Sequence, residues 1–247
     1  MKKILFITDL HLTKEPNTTS GIDTYANFNK ILEDFSQDTK HELIVLGGDL
    51  CHTKPDPNAY AYVLSSLSTF DVPIITIPGN HDDSRLVAES GLSPFKLMKD
   101  ELYGSILTPI QSIALDSSKG EFSEEQWAWI CEIFSNNKTG HQIVFMHHPP
   151  VICGARHMEP KYQFKELSRF QKLLEDFKHI EFHIFCGHFH LEKSIRDKNL
   201  NVYVTPSTFV QIHPDKVHFE PFMPYIGYRI IYSDSIGSVI NTHVKYV

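Results

Sequence analysis

Along the chain, short stretches that are apolar at nearly every position alternate with stretches whose apolar residues recur every three or four positions. The first kind occurs at residues 3–8, 43–47, 73–77, 110–115, 142–147 and 182–186, the pattern expected of strands covered on both faces. The second predicts helices. Tyr25, Phe28, Leu32 and Phe35 fall on one helical face, and Ser123-x-x-Gln126 resembles a capping box opening a helix that carries Trp127, Trp129 and Ile130. Such alternation predicts an α/β core with right-handed crossovers. After residue 190 the pattern shortens to β-like runs at 201–204, 216–219, 228–232 and 238–246, broken by Pro and Gly. This predicts a β-rich closing layer over residues 191–247. With no internal repeat, low-complexity tract or linker, residues 1–247 read as a single domain whose chemistry lies in residues 1–190.

Composition narrows the classes further. The apolar runs, such as Leu43–Leu46 and residues 74–77, fall far short of the roughly 18 residues needed to span a membrane. Met1-Lys2-Lys3 runs directly into Ile4-Leu5-Phe6-Ile7, too short for a secretory segment, so a soluble, cytoplasmic chain is expected. Lys and Arg total 23 against 30 Asp and Glu, for a net charge of -7 without any basic run of five. That balance argues against a sequence-independent grip on nucleic acid, which needs clustered cations. Cys51, Cys131, Cys153 and Cys186 form no CxxC pair, in keeping with a reducing compartment. Histidine is the unusual residue, at 15 of 247.

The histidines and several acids collect where the predicted strands end, the place where open α/β sheets form their binding crevice. Asp9-Leu10-His11 follows the first strand, Gly47-Gly48-Asp49 the second and Gly79-Asn80-His81-Asp82 the third; His147-His148-Pro149-Pro150 and Gly187-His188-Phe189-His190 follow two later ones. Singly, each is ordinary turn chemistry, because Gly supplies positive φ and Asp or Asn tolerates it. Five in succession point to a site. Two aspartates, an asparagine carbonyl and four or more histidines make an oxygen and nitrogen shell without thiolate, suited to Mn, Fe or Zn. Seven donors are too many for one open catalytic ion. They suit two ions sharing a carboxylate, an arrangement that activates a bridging water and clamps the attacked and leaving oxygens at phosphorus.

Together, D-x-H, GGD, GNHD, the histidine of HHPP and GHFH resemble the calcineurin-like metallophosphoesterase superfamily over about residues 3–190. The resemblance implies a four-layer αββα sandwich of two mixed sheets with a dinuclear site at the strand ends. Carried over residue by residue, it implies that Asp9, His11 and His190 hold one ion, Asn80, His147 and His188 the second, and that Asp49 bridges them. His81 matches the histidine that contacts a phosphate oxygen or protonates the leaving group. His148 is the alternative to His147, although the family pattern favours the first of the pair. Asp82 and His52 read as ordinary polar loop residues, with support of the ligands as the other reading.

Gly21-Ile22-Asp23-Thr24, residues 205–211 and Gly227-Tyr228-Arg229 further resemble bacterial, cytosolic class III cyclic nucleotide phosphodiesterases. That resemblance implies hydrolysis of a 3′,5′-cyclic nucleotide, cyclic AMP first, to the 5′-monophosphate by a metal-bridging hydroxide. It also implies a closing segment at the cleft and a possible homodimer. Other readings keep the same ligands. A phosphodiesterase acting on glycerophosphodiesters or 2′,3′-cyclic nucleotides differs only in its pocket walls. A metallo-nuclease needs a positive cleft, and a non-enzymatic scaffold has no need of all seven donors.

Overall fold

The computed structural model describes residues 1–14, 18–37 and 40–247. In chain order the strands are β1 (Lys2–Ile7), β2 (Thr18–Thr19), β3 (Ile22–Asp23), β4 (Leu43–Leu46), β5 (Ile74–Thr76), β6 (Gly104–Ile106), β7 (Ser112–Ala114), β8 (His141–Phe145), β9 (Glu181–Cys186), β10 (Lys193–Asp197), β11 (Leu200–Val204), β12 (Gly227–Ser233) and β13 (Ile240–Tyr246). The helices are α1 (Thr24–Ser36), α2 (Pro57–Leu67), α3 (Ser84–Glu89), α4 (Glu124–Ser135), α5 (Glu159–Tyr162) and α6 (Leu167–Asp176). One sheet runs β13-β12-β1-β4-β5 and the other β10-β11-β9-β8-β7-β6, while β2 and β3 form a small hairpin. Both large sheets are mixed. In the first, β1, β4 and β5 are parallel and β12 is antiparallel to both its neighbours; in the second, β11, β9, β8 and β7 are parallel, with β10 and β6 antiparallel at the edges.

Strand residues are apolar on both sides because each sheet lies between two layers. Ile4, Phe6, Leu43 and Val45 of the first sheet meet Ile143, Phe145 and Phe185 of the second in one core, where the Phe6 and Phe145 rings stack at 5.8 Å. Their sequence neighbours point the other way. Leu5, Ile7, Ile44 and Leu46 pack under Phe28, Ile31 and Val63 of α1 and α2. Val144, Phe182 and Ile184 pack under Trp127, Ile130, Phe134 and Phe170 of α4 and α6. The result is the expected αββα order. Among the described residues no helix is long and apolar enough to cross a membrane.

Several local expectations are changed by tertiary contacts. Ser123 does cap α4, accepting the Gln126 N–H at 3.1 Å. The return half of the capping box is absent: fully buried Gln126 instead donates to Glu101 at 3.0 Å and accepts from the Asp116 N–H at 2.8 Å. Residues 216–219 form no strand. The segment lies in a loop closed by a single bridge between Ile212 and Pro221 and has no neighbouring strand to pair with, and Val217 and Phe219 stay 60% and 50% exposed. The remaining strands after residue 190 do not stack as a separate layer but extend both sheets.

A polar tie holds α1 to the first sheet. Asp34 accepts from the Tyr228 hydroxyl of β12 and the Lys245 ammonium of β13, each at 2.8 Å. Partial burial opposes its charge, but Lys245 and Tyr228 outweigh this and hold the carboxyl below its ordinary range. A lowered folded pKa contributes stability above the unfolded value of about 3.9 and loses it as pH falls through the folded one. Asp34→Asn is expected to lower Tm by about 2–4 °C at neutral pH, the equivalent of about 1 kcal/mol. The deficit should vanish in acid, as thermal denaturation of both proteins across pH would show.

Candidate metal centre

The parallel strands of each sheet deliver their C-terminal ends side by side. Asp9 and His11 leave β1, Asp49 leaves β4, and Asn80 and His81 leave β5; from the facing sheet, His147 leaves β8 and His188 and His190 leave β9. Five of these eight residues are in the left-handed region: Asp9 (φ 56), His11 (φ 48), Asp49 (φ 53), His188 (φ 68) and His190 (φ 51). Non-glycine residues cost of order 1–3 kcal/mol each there and collect at functional sites. The neighbouring glycines serve close approach. A Cβ on Gly79 would lie 2.2 Å from Asp49 Oδ1, one on Gly187 2.4 Å from Asp9 Oδ2, and one on Gly48 2.6 Å from His147 Nδ1.

Two clusters converge on a shared floor. Asp9, His11 and His190 each offer a donor atom within 4.8 Å of the other two, as do Asp49, His147 and His188; a third grouping joins His11, Asp49 and His81. His190 Nε2 lies 3.0 Å from His11 Nε2 and 3.3 Å from Asp9 Oδ1. Asp49 Oδ2 lies 3.4 Å from His147 Nε2, 3.7 Å from His11 Nε2 and 3.9 Å from His81 Nε2. Asp49 thus touches both sides. Asn80 stands exposed on the rim.

Hydrogen bonds fix which nitrogen of each ring faces inward. His147 Nδ1 is 2.7 Å from the Gly47 carbonyl, His190 Nδ1 2.8 Å from the Val210 carbonyl and His188 Nε2 2.7 Å from the Tyr162 carbonyl. Each carbonyl accepts the N–H, so the opposite nitrogen turns its lone pair toward the clusters, the usual arrangement for metal-binding imidazoles. His147 Nε2 is enclosed and has no hydrogen-bond partner. His148 Nδ1 instead meets the Ser117 hydroxyl at 3.2 Å, and its ring packs 4.1 Å from that of His188. It belongs to neither cluster.

The electrostatics call for cations. Asp9 is fully buried and Asp49 nearly so, and buried carboxylates are costly unless compensated. Burial alone would raise the Asp9 carboxyl, but His190 and His147 outweigh it and bring it to about 2. Asp49 is held well below its usual range against burial by His147 and His11. Burial lowers His11 to about 3 and His188 to about 4, leaving them neutral donors at pH 7. His147 moves the other way: burial is overcome by Asp49 and Asp9, which raise it to about 9. Two buried anions that draw a proton onto His147, beside neutral His11 and His188, leave a demand for positive charge that a pair of divalent ions would meet.

Much of the support was hidden from sequence reasoning. The 205–211 segment holds Asp9 from behind, with the Ser207 and Thr208 hydroxyls donating to its carbonyl at 3.0 and 3.2 Å. Asp82 is more than a loop residue: its carboxylate accepts the N–H groups of Gly79 (2.9 Å) and Leu50 (3.1 Å) and the Tyr60 hydroxyl (3.2 Å). It thereby ties the loop bearing Asn80 and His81 to the one bearing Asp49. Asp82→Ala leaves these donors unmet and is expected to cost about 1–3 kcal/mol in denaturant unfolding. His52 packs its ring 5.3 Å from Phe209 and meets Thr19 at 3.1 Å. Above the floor opens a cavity of about 320 Å³ walled by His157, Met158, Tyr162, Phe209 and Phe219.

Fold and donor set together define a metallophosphoesterase, a hydrolase. The chain matches the calcineurin-like phosphoesterase family over residues 2–192 and belongs to it; members of this family use dinuclear metal centres. It is similar to a probable cyclic nucleotide phosphodiesterase of Fibrobacter succinogenes, 32% identical over 86% of this chain and 82% of that one. It is also similar to the 3′,5′-cyclic adenosine monophosphate phosphodiesterase CpdA of Escherichia coli, 28% identical over 88% of this chain and 80% of the other. A dimetal phosphatase from Danio rerio shares the fold, with a TM-score of 0.68 at 13% identity over 98% of both chains.

Proposed function

We propose that this protein hydrolyses 3′,5′-cyclic nucleotides, cyclic AMP foremost, to 5′-monophosphates. The observation that carries this reading is the aromatic wall above the donor clusters. Tyr162, Phe209, Phe219 and the His157 imidazole offer flat faces suited to a purine, which a glycerol moiety would leave unused. Similarity to the Fibrobacter and Escherichia enzymes supports the same substrate class.

In this reading Asp9, His11 and His190 would hold one ion and Asn80, His147 and His188 the other, with Asp49 shared by the two. Mn, Fe or Zn suits these donors. When bound, the pair supplies positive charge for the phosphate oxygens and an acidified water. The carbonyls of Gly47, Val210 and Tyr162 keep the imidazoles aimed, and Asp82 keeps the His81 loop in place. His81, its side chain 34% exposed above Asp49, holds at Nε2 the proton that the departing 3′ oxygen takes up as the P–O bond breaks.

Steady-state kcat/KM for cyclic AMP, cyclic GMP, 2′,3′-cyclic AMP and glycerophosphocholine on one metal-replete preparation tests the assignment. Cyclic AMP is expected to lead by at least about tenfold, one to two kcal/mol of pocket discrimination. A lead by glycerophosphocholine or the 2′,3′ isomer would overturn it.

A further inference from the structure

The strands that carry His147 and His188 begin with a second group of donors. His141 opens β8 and Glu181 opens β9, directly paired across the sheet, and His183 follows two residues later. Residues of the same parity, Ile143, Phe145 and Phe185, point into the core between the sheets, so all three side chains share that face. His141 Nδ1 lies 3.9 Å from Glu181 Oε2, and His183 Nε2 lies 3.9 Å from Glu181 Oε1. One donor atom from each residue is within 4.8 Å of the other two. Comparable imidazole–carboxylate spacings, 3.3 to 4.0 Å, occur at the centre described above.

Two further observations point to a ligand. His141 Nδ1 is enclosed and lacks a hydrogen-bond partner, a cost that native proteins seldom leave unmet. The other two donors are already oriented: Asn201 donates to Glu181 Oε1 at 3.2 Å, and the Tyr203 hydroxyl meets His183 Nδ1 at 3.4 Å, leaving His183 Nε2 toward the carboxylate. Such outer contacts are how proteins aim metal-binding imidazoles.

We propose that His141, Glu181 and His183 bind a divalent first-row transition ion, zinc by their chemistry, at a site separate from the catalytic centre. Two imidazoles and one carboxylate form a three-ligand zinc set with a position left for water. From His141 to His147 the strand advances about 20 Å at roughly 3.3 Å per residue, so the two sites share no ligand. The ion clips β8 to β9 at their starts.

Equilibrium dialysis of the 247-residue protein at fixed free zinc, followed by metal analysis, tests this in the parent, Glu181→Gln and His141→Ala. Each variant is expected to hold one zinc fewer per chain than the parent, with phosphodiester hydrolysis unchanged. Glu181→Gln keeps the size of the side chain and its contact with Asn201, so loss of fold does not mimic loss of the ion. Equal zinc content in all three proteins would overturn the proposal, whatever number the catalytic centre holds.

Discussion

Asp49→Ala is expected to abolish hydrolysis and strip metal in the same step. Its Oδ2 lies within 4 Å of imidazoles from both sheets, those of His11, His81 and His147. Withdrawing it removes the negative charge that would compensate cations on either side. With several kcal/mol of transition-state stabilisation at stake, kcat/KM should fall about 10³-fold or more. The change also leaves the His81 N–H without its acceptor, so denaturant unfolding is measured alongside to separate loss of the site from loss of the fold. Metal analysis beside steady-state kinetics decides: an Asp49→Ala protein that keeps both its ions and its turnover would end the reading in which Asp49 joins them.

His81→Ala should separate chemistry from metal binding. The His81 backbone N–H donates to Asp49 Oδ1 at 2.9 Å, so its position does not depend on the imidazole. Loss of a positioned acid costs about 10²–10⁴ in rate, and that loss is expected for cyclic AMP, whose alkoxide must be protonated as it leaves. A p-nitrophenyl diester, which departs unprotonated, should lose far less, and metal content should match the parent. His81 also groups with His11 and Asp49. If the variant loses an ion, His81 is a ligand and the acid must be sought elsewhere.

What the sequence made legible follows from where the physics is local. The strands of the two sheet centres were readable because burial on both faces leaves unbroken apolar runs, as in β1, β4 and β8. The strand-end motifs, with their glycines and acids, named the residues that the structure brings together. Edge strands were not readable: β10 is Lys-Ser-Ile-Arg-Asp with almost no buried face, and its pairing comes from β11 alone. The run at 216–219 misled because its apolar residues face the cavity and solvent rather than a sheet. Choosing between His147 and His148 depends on Gly47 and Ser117, one a distant carbonyl and the other a distant hydroxyl. A carbonyl partner is invisible in sequence, since every residue has one.

The ligands come from both halves of the sandwich, and this has a mechanical consequence. Asp9 and Asp49 ride on one sheet while His147 and His188 ride on the other, so the jaws of the site close only if the sheets keep their spacing. Phe6 and Phe145 act as the shim between them. Shaving that shim would misalign the jaws without touching any donor, coupling the tightness of the hydrophobic interior to the speed of the enzyme.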